Sequence, residues 1–336
     1  MIKRAFHRWE RRLAAAAENR TVRPFDWGVE WIPELQETEG REPSRLLDWA
    51  AGALRKSEEF FAAAPSTDFS LVGDRLTFSS PVVTPHPENN VVAARYFPET
   101  SPRGRRRAVL VLPQWNADAG GHVGLCRLMN RFGISALRLS LPYHDVRMPP
   151  ELSRADYIVS ANIGRTLTVC RQAVLDAKLA IAWLRQQGYE SIGIMGTSLG
   201  SCLSMLTAAH EPAIKVAALN HISPYFADVV WSGLSTEHVR ESLDENIDLD
   251  RLRRVWMPIS PWPYVARMRK TRSLLVYALY DLSFPLDLSR RLVDEFRQRK
   301  VPHDVAVLPC GHYSTGVTPF KYLDGFALCR FLAKHL

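Results

Sequence analysis

The stretch Ser191-Ile192-Gly193-Ile194-Met195-Gly196-Thr197-Ser198-Leu199-Gly200 decides how this sequence is read. Its first five residues form an apolar run of strand length, and the apolar run Cys202–Ala209 beyond it has the character of a helix. Between them stands Gly196-Thr197-Ser198-Leu199-Gly200, a G-x-S-x-G. A strand, a tight turn and a helix are what a nucleophile elbow requires. The glycines let two backbones approach closely, and the serine projects above the sheet at the positive end of the following helix. Ser198 is therefore the candidate nucleophile. The competing reading is an ordinary glycine-bearing turn between a strand and a helix.

A serine hydroxyl is a weak nucleophile and needs a base that is itself held by a third group. Behind an elbow, the acid and the histidine follow in that order, each after a later strand. The apolar run Ser273–Leu279 ends in Tyr280-Asp281-Leu282-Ser283-Phe284-Pro285, which puts Asp281 just past a strand's carboxyl end. The run Val305–Leu308 ends in Pro309-Cys310-Gly311-His312, which puts His312 in a loop before the closing helix. Catalytic groups of open α/β sheets gather at this edge. His303 stands at the opposite end of the same strand. Asp228, some way past the strand Ile214–Leu219, is the alternative acid.

Working outward, short strands alternate with longer helices from about residue 74. Leu76–Ser79 and Val91–Tyr96 read as paired strands around the Pro81–Asn90 turn, and Ala108–Leu112 and Ile134–Leu141 as buried strands. Val169–Gln187 and Leu286–Arg299 have helical spacing, and a final helix runs from about Pro319. This alternation predicts a doubly wound, mainly parallel sheet. It stops between Ser223 and Thr271. That segment is rich in Trp and Pro, holds a polar helical stretch near His238–Asp250, and reads as a lid insertion at about 223–272. Residues 1–73 read as a helical N-terminal extension, and 74–336 as the main domain. Ile2, Phe6, Trp9 and Leu13 recur at helical spacing, so the first helix is amphipathic with a basic outer face. It packs on its own protein or a partner subunit, or else lies on a membrane.

The 336 residues, 46% hydrophobic and 23% charged, suit a globular α/β enzyme. The net charge of +8 comes with no nucleic-acid motif, and the run Arg103-Gly104-Arg105-Arg106-Arg107 reads as a solvated turn. Five scattered cysteines without CxxC pairing indicate neither disulfides nor a zinc ribbon and suggest a reducing cytoplasm. No apolar stretch approaches the ~20 residues of a membrane span. HExxH is absent, so no metal is expected, and no cofactor is required.

An oxyanion needs two N–H donors. One is expected from Leu199, after the nucleophile. The other is expected from Gln114 or Trp115 in the loop Pro113-Gln114-Trp115-Asn116, which lacks a His-Gly. The loop Pro142-Tyr143-His144-Asp145-Val146-Arg147 lies on the same rim. Either Tyr143 and His144 line the substrate pocket, or Asp145 and Arg147 pair to hold the loop.

With these motifs in hand, the chain from about Leu76 onward resembles the α/β-hydrolase superfamily, on GTSLG, YDLSFP, the late Gly-His and PYHDVR. It looks closest to the branch of dienelactone-hydrolase-like and abhydrolase-domain-containing proteins. The resemblance implies hydrolysis of an ester, thioester or similar acyl bond of a small-molecule substrate through a covalent acyl-enzyme. The roles it assigns are Ser198 as nucleophile, His312 as base and Asp281 as its orienting acid. The alternative is a non-catalytic member of the fold that binds a ligand or partner.

Overall fold

The computed structural model describes residues 1–16, 19–36, 43–66, 68–100 and 104–336. Ala17 of the N-terminal alanine run and Arg103 of the basic run lie outside the described residues. The apolar runs become nine strands: β1 (Ser70–Val72), β2 (Arg75–Ser79), β3 (Val91–Phe97), β4 (Arg107–Leu112), β5 (Ser135–Leu139), β6 (Ser191–Thr197), β7 (Ile214–Asn220), β8 (Arg272–Ala278) and β9 (His303–Leu308). They form one sheet in the order β1-β2-β3-β5-β4-β6-β7-β8-β9. The strands from β5 to β9 in this order run parallel, and β1, β2 and β3 extend one edge antiparallel. The sheet begins at Ser70, a few residues before the expected start at 74, because Leu71 pairs with Leu76 across a tight turn. β4 and β6 are neighbours although β5 lies between them in sequence, so the strand order reverses here. That reversal opens a crevice at the carboxyl ends of the strands.

Central strands are buried on both faces, which explains their unbroken apolar character: β5 is buried at every residue. The helices that cover the sheet are α1 (Ile2–Ala15), α2 (Pro43–Arg55), α3 (Val123–Arg131), α4 (Ile163–Gln186), α5 (Leu199–His210), α6 (Phe226–Ser232), α7 (Glu237–Leu243), α8 (Leu249–Val255), α9 (Leu286–Gln298) and α10 (Phe320–His335). One core lies between the sheet and α4, α5 and α9, and includes Ile32, Leu46 and Phe61 of the N-terminal region. The other lies against α3 and α10.

α1 docks on its own protein through its aromatic stripe. Phe6 stacks on Tyr280 with centroids 4.4 Å apart, and Trp9 meets Phe320. The lid differs in detail from its sequence reading. The polar stretch 238–250 is two helices, α7 and α8, because Asp248 turns its carboxylate back to the Arg251 N–H (2.8 Å) and starts a new helix. Trp256 is lid core, fully buried, with its indole N–H donating to the Ile163 carbonyl (3.1 Å). Among the described residues, no helix is long and apolar enough to cross a membrane.

Candidate active site

Ser198 sits between β6 and α5 with φ 57° and ψ −120°. A side chain in that left-handed region costs roughly 1–3 kcal/mol and persists only where the surroundings hold it. Here the Ser198 N–H donates to the Asn220 carbonyl at the end of β7 (2.8 Å). The glycines before and after are required by contact: a Cβ on Gly196 would overlap the Gly200 carbonyl. The result is a serine at the head of α5, 8% exposed.

Asp281 leaves the carboxyl end of β8. Its Oδ1 accepts the N–H groups of Ser283 (2.8 Å) and Phe284 (2.7 Å), so the turn after the strand fixes the carboxylate. Its Oδ2 accepts from Nδ1 of His312, 3.1 Å away, and from Nδ1 of His221, 2.8 Å away. Burial opposes the charge on Asp281, but the imidazoles of His312 and His221 hold its carboxyl well below the usual range. Phe284 lies parallel to the His312 ring, centroids 5.3 Å apart, and limits its rotation.

His221 is a second imidazole on the same acid. It follows β7 directly, has φ 55°, is fully buried, and meets the His312 ring at 4.6 Å between centroids. Burial lowers its affinity for a proton, yet the hydrogen bond and charge of Asp281 raise its pKa above the ordinary value. Asp324 of α10 adds to this field and accepts from the Asn220 amide (2.9 Å). Burial pushes the Asp324 carboxyl up to about 6.

The His312 loop is clamped by the N-terminal helix. Glu10 of α1 is fully buried, and its two oxygens accept the N–H groups of Tyr313 (2.8 Å) and Ser314 (2.9 Å). Residue 311 must be glycine, since a Cβ there would overlap the Glu10 carboxyl group.

The loop after β4 faces Ser198 from the other side. Asn116 donates its N–H to Nε2 of His144 (3.0 Å), whose Nδ1 faces the Pro142 carbonyl (2.9 Å). Burial lowers the His144 pKa to about 4, so the ring is neutral and Nε2 is free to accept. The Asn116 side chain and the Trp115 indole both bond the backbone of Ala155 (2.8 Å each).

No protein-family model matches the chain, and no curated protein matches it. Solved structures do resemble it. The acylaminoacyl peptidase of Pyrococcus horikoshii superimposes with a TM-score of 0.60 at 14% identity over 80% of this chain. This chain spans only 42% of that peptidase's length. Acetyl xylan esterase 1 from Thermoanaerobacterium sp. JW/SL YS485 gives 0.59 at 15% identity, covering 96% of this chain and 97% of that one. The acetyl xylan esterase from Paenibacillus sp. R4 gives 0.60 at 15% identity, covering 89% and 96%. The chain has the α/β-hydrolase fold.

On this α/β-hydrolase sheet, Ser198, Asp281 and His312 all lie at the carboxyl ends of parallel strands, β6, β8 and β9. Leu199 opens α5, where the first N–H groups have no helical partner. Because the Asn116 N–H is engaged by His144, Gln114 and Trp115 remain the loop's candidates for the second oxyanion donor. Asp228 is held by Arg253 through two 3.0 Å hydrogen bonds and does not reach His312. A cavity of about 40 Å³ opens beside Ser198, with Trp115, Leu199, Phe226, Val230 and Phe284 among its walls. Tyr143 and His144 are not brought into it. Both are buried elsewhere, Tyr143 against His86 (3.0 Å) and His144 behind the oxyanion loop, because their loop turns in under the strand ends. Nor do Asp145 and Arg147 pair with one another: Asp145 bonds Arg138 and Arg147 bonds Asp176 (2.9 Å). One group of metal-capable atoms occurs among the described residues: the side chains of His221, Asp281 and His312, with ligand atoms within 4.8 Å. Each Nδ1 there carries the proton that faces the carboxylate. Hydrogen bonding accounts for the grouping, and a metal would take the acid away from His312.

Two residues of the site escaped the sequence reading. His221 was findable by the rule that located Asp281, since it stands immediately after a parallel strand. Glu10 carried no signal, because its partners lie 303 and 304 residues away.

Proposed function

We propose that this protein is a serine hydrolase that cleaves a carboxylic ester, or a related acyl bond such as a thioester, through a covalent acyl-enzyme. The observation that carries the reading is the buried Asp281 carboxylate bonded to His312 Nδ1, on the strand edge that also presents the strained Ser198. Ser198 Oγ attacks the acyl carbon while His312 Nε2 takes its proton. The carbonyl oxygen becomes an oxyanion held by the Leu199 N–H and by Gln114 or Trp115. Collapse breaks the bond to the leaving alcohol, which receives the proton from His312. Water then repeats the sequence, giving the acid and free Ser198. Asp281 keeps the imidazole in the required tautomer throughout. The solved structures that resemble the chain include esterases and a peptidase, in keeping with acyl chemistry. The small, mostly apolar cavity at Ser198 supports a short acyl group. The test is turnover of 4-nitrophenyl acetate. Saturable hydrolysis by the wild type, abolished in Ser198→Ala, is the expected result, and equal rates in the two proteins would overturn the reading.

A further inference from the structure

Three basic side chains from three separate segments meet beside the candidate active site. Arg154 lies over the Trp115 ring, 4.3 Å from its centroid. His238 of the lid helix α7 stacks on the same indole, centroids 5.8 Å apart and planes 6° from parallel. Arg20 donates through Nη2 to the Tyr313 hydroxyl (2.8 Å), and Tyr313 follows His312, with their rings 5.8 Å apart. Trp115 walls the Ser198 cavity. The cluster thus spans the gap between the oxyanion loop and the His312 loop.

Among the described residues, its charge is only partly balanced. The carboxylates beside it there are Asp156 and Glu10. Asp156 serves Arg23 (2.9 Å) as well as Arg154 (3.3 Å), and Glu10 is engaged by two backbone amides. Arg154 and His238 are 7% and 8% exposed. Arg20 Nε and both ring nitrogens of His238 are buried without a hydrogen-bond partner, while Arg154 has its Nε 3.3 Å from Asp156 and donates through Nη1 to Asn19 (3.4 Å). Burial, reinforced by the charges of Arg154 and Arg20, lowers the His238 pKa to about 4. A guanidinium withdrawn from water with only a shared counter-charge is costly, and orphaned buried donors call for a partner. A carboxylate or phosphate supplies both, and guanidinium is the group best shaped to hold either.

We propose that Arg20, Arg154 and His238 form an anion-binding subsite, so that the substrate is an ester carrying a carboxylate or phosphate on its leaving group. The inference rests on the hydrolase reading above. The leaving-group side is chosen because Tyr313 adjoins His312, which returns the proton to the departing alcohol, while the Ser198 cavity walled by Trp115 is apolar and small.

The test pairs 4-acetoxybenzoate with its uncharged counterpart, phenyl acetate. The wild type is expected to favour the anionic ester in kcat/KM by about tenfold or more, chiefly through KM. That preference is expected to collapse in Arg20→Ala and Arg154→Ala and to survive in part in Arg20→Lys. A wild-type ratio near one, or a ratio unchanged in Arg20→Ala, overturns the proposal. Arg20 is half-buried and its variant serves if Arg154→Ala fails to fold. A second arm needs no turnover: calorimetric titration of Ser198→Ala with 4-hydroxybenzoate and with phenol. Tighter binding of the anion, lost in Ser198→Ala/Arg20→Ala, supports the subsite even if neither ester is hydrolysed, in which case the hydrolase reading fails alone. Equal binding of the two compounds overturns the subsite whatever the rates.

Discussion

Removing the carboxylate of Glu10 tests whether the N-terminal helix is part of the catalytic apparatus. Glu10→Ala deletes two hydrogen bonds, of 2.8 and 2.9 Å, and leaves the N–H groups of Tyr313 and Ser314 facing an emptied site. Hydrogen bonds to a charged group contribute roughly 1.5–3 kcal/mol each. Partial relaxation and an entering water lower the sum, so the expected loss is about 3–5 kcal/mol. In a chain of this size that corresponds to a fall in Tm of about 4–7 °C. The functional effect follows from position, since the freed amides belong to the two residues after His312. Displacement of a reacting group by as little as 1 Å costs about a hundredfold in rate, so kcat is expected to fall about 10- to 100-fold with KM little changed. Glu10→Gln keeps one acceptor and turns an amide donor toward the other N–H, and its losses should be about half as large in free energy. Gly311→Ala pushes on the same contact from the other side, because its Cβ would overlap the Glu10 carboxyl, and it should reproduce the phenotype. Differential scanning fluorimetry and 4-nitrophenyl acetate kinetics read both quantities. Unchanged Tm and kcat in Glu10→Ala would refute the argument.

Three further predictions follow from the same cluster. Replacing His221 by Leu removes one of the two donors to Asp281 Oδ2, so the carboxylate stabilises protonated His312 more strongly. The acid limb of the kcat/KM profile should therefore move to higher pH by about one unit, and a shift downward or none contradicts the shared-acid geometry. Asp281→Asn should lower kcat/KM by about 10³–10⁴-fold, whereas Asp228→Asn should leave it near wild type; the reverse ranking would reinstate Asp228 as the acid. Asp324, pushed up to about 6, keeps in the folded state a proton that the unfolded chain loses near pH 4, so it lowers stability progressively as pH rises through that window. Asp324→Asn should gain roughly 2–3 kcal/mol relative to wild type between pH 4 and pH 8 in urea titrations, and a pH-independent difference would contradict this.

The sheet was legible because its parallel strands are buried on both faces and so write themselves as unbroken apolar runs, as at Val109, Leu110 and Val111. The candidate triad could be named from the sequence because each member stands at the end of such a run, and the structure joins Asp281 to His312. The pocket was not. Tyr143 and His144 stand on the correct rim, but whether a rim loop faces the cavity or turns beneath it depends on partners such as Asn89, Asp176 and Arg138, which no local pattern announces. The lid was visible only as the place where alternation stops. Its helix break at Asp248 is a capping event, readable in principle from an aspartate ahead of the helical spacing of Leu249, Leu252 and Val255. The N-terminal clamp is tertiary throughout: an acid on a basic amphipathic helix gives no hint that it faces inward.

The central claim is that Ser198 is activated by His312, and covalent labelling with a fluorophosphonate probe tests it most directly. Intact-mass and peptide analysis should find one adduct on the wild type, on the peptide containing Ser198, and none on folded Ser198→Ala or His312→Ala. A folded wild type that takes up no probe, or an adduct that persists in Ser198→Ala, would contradict the account.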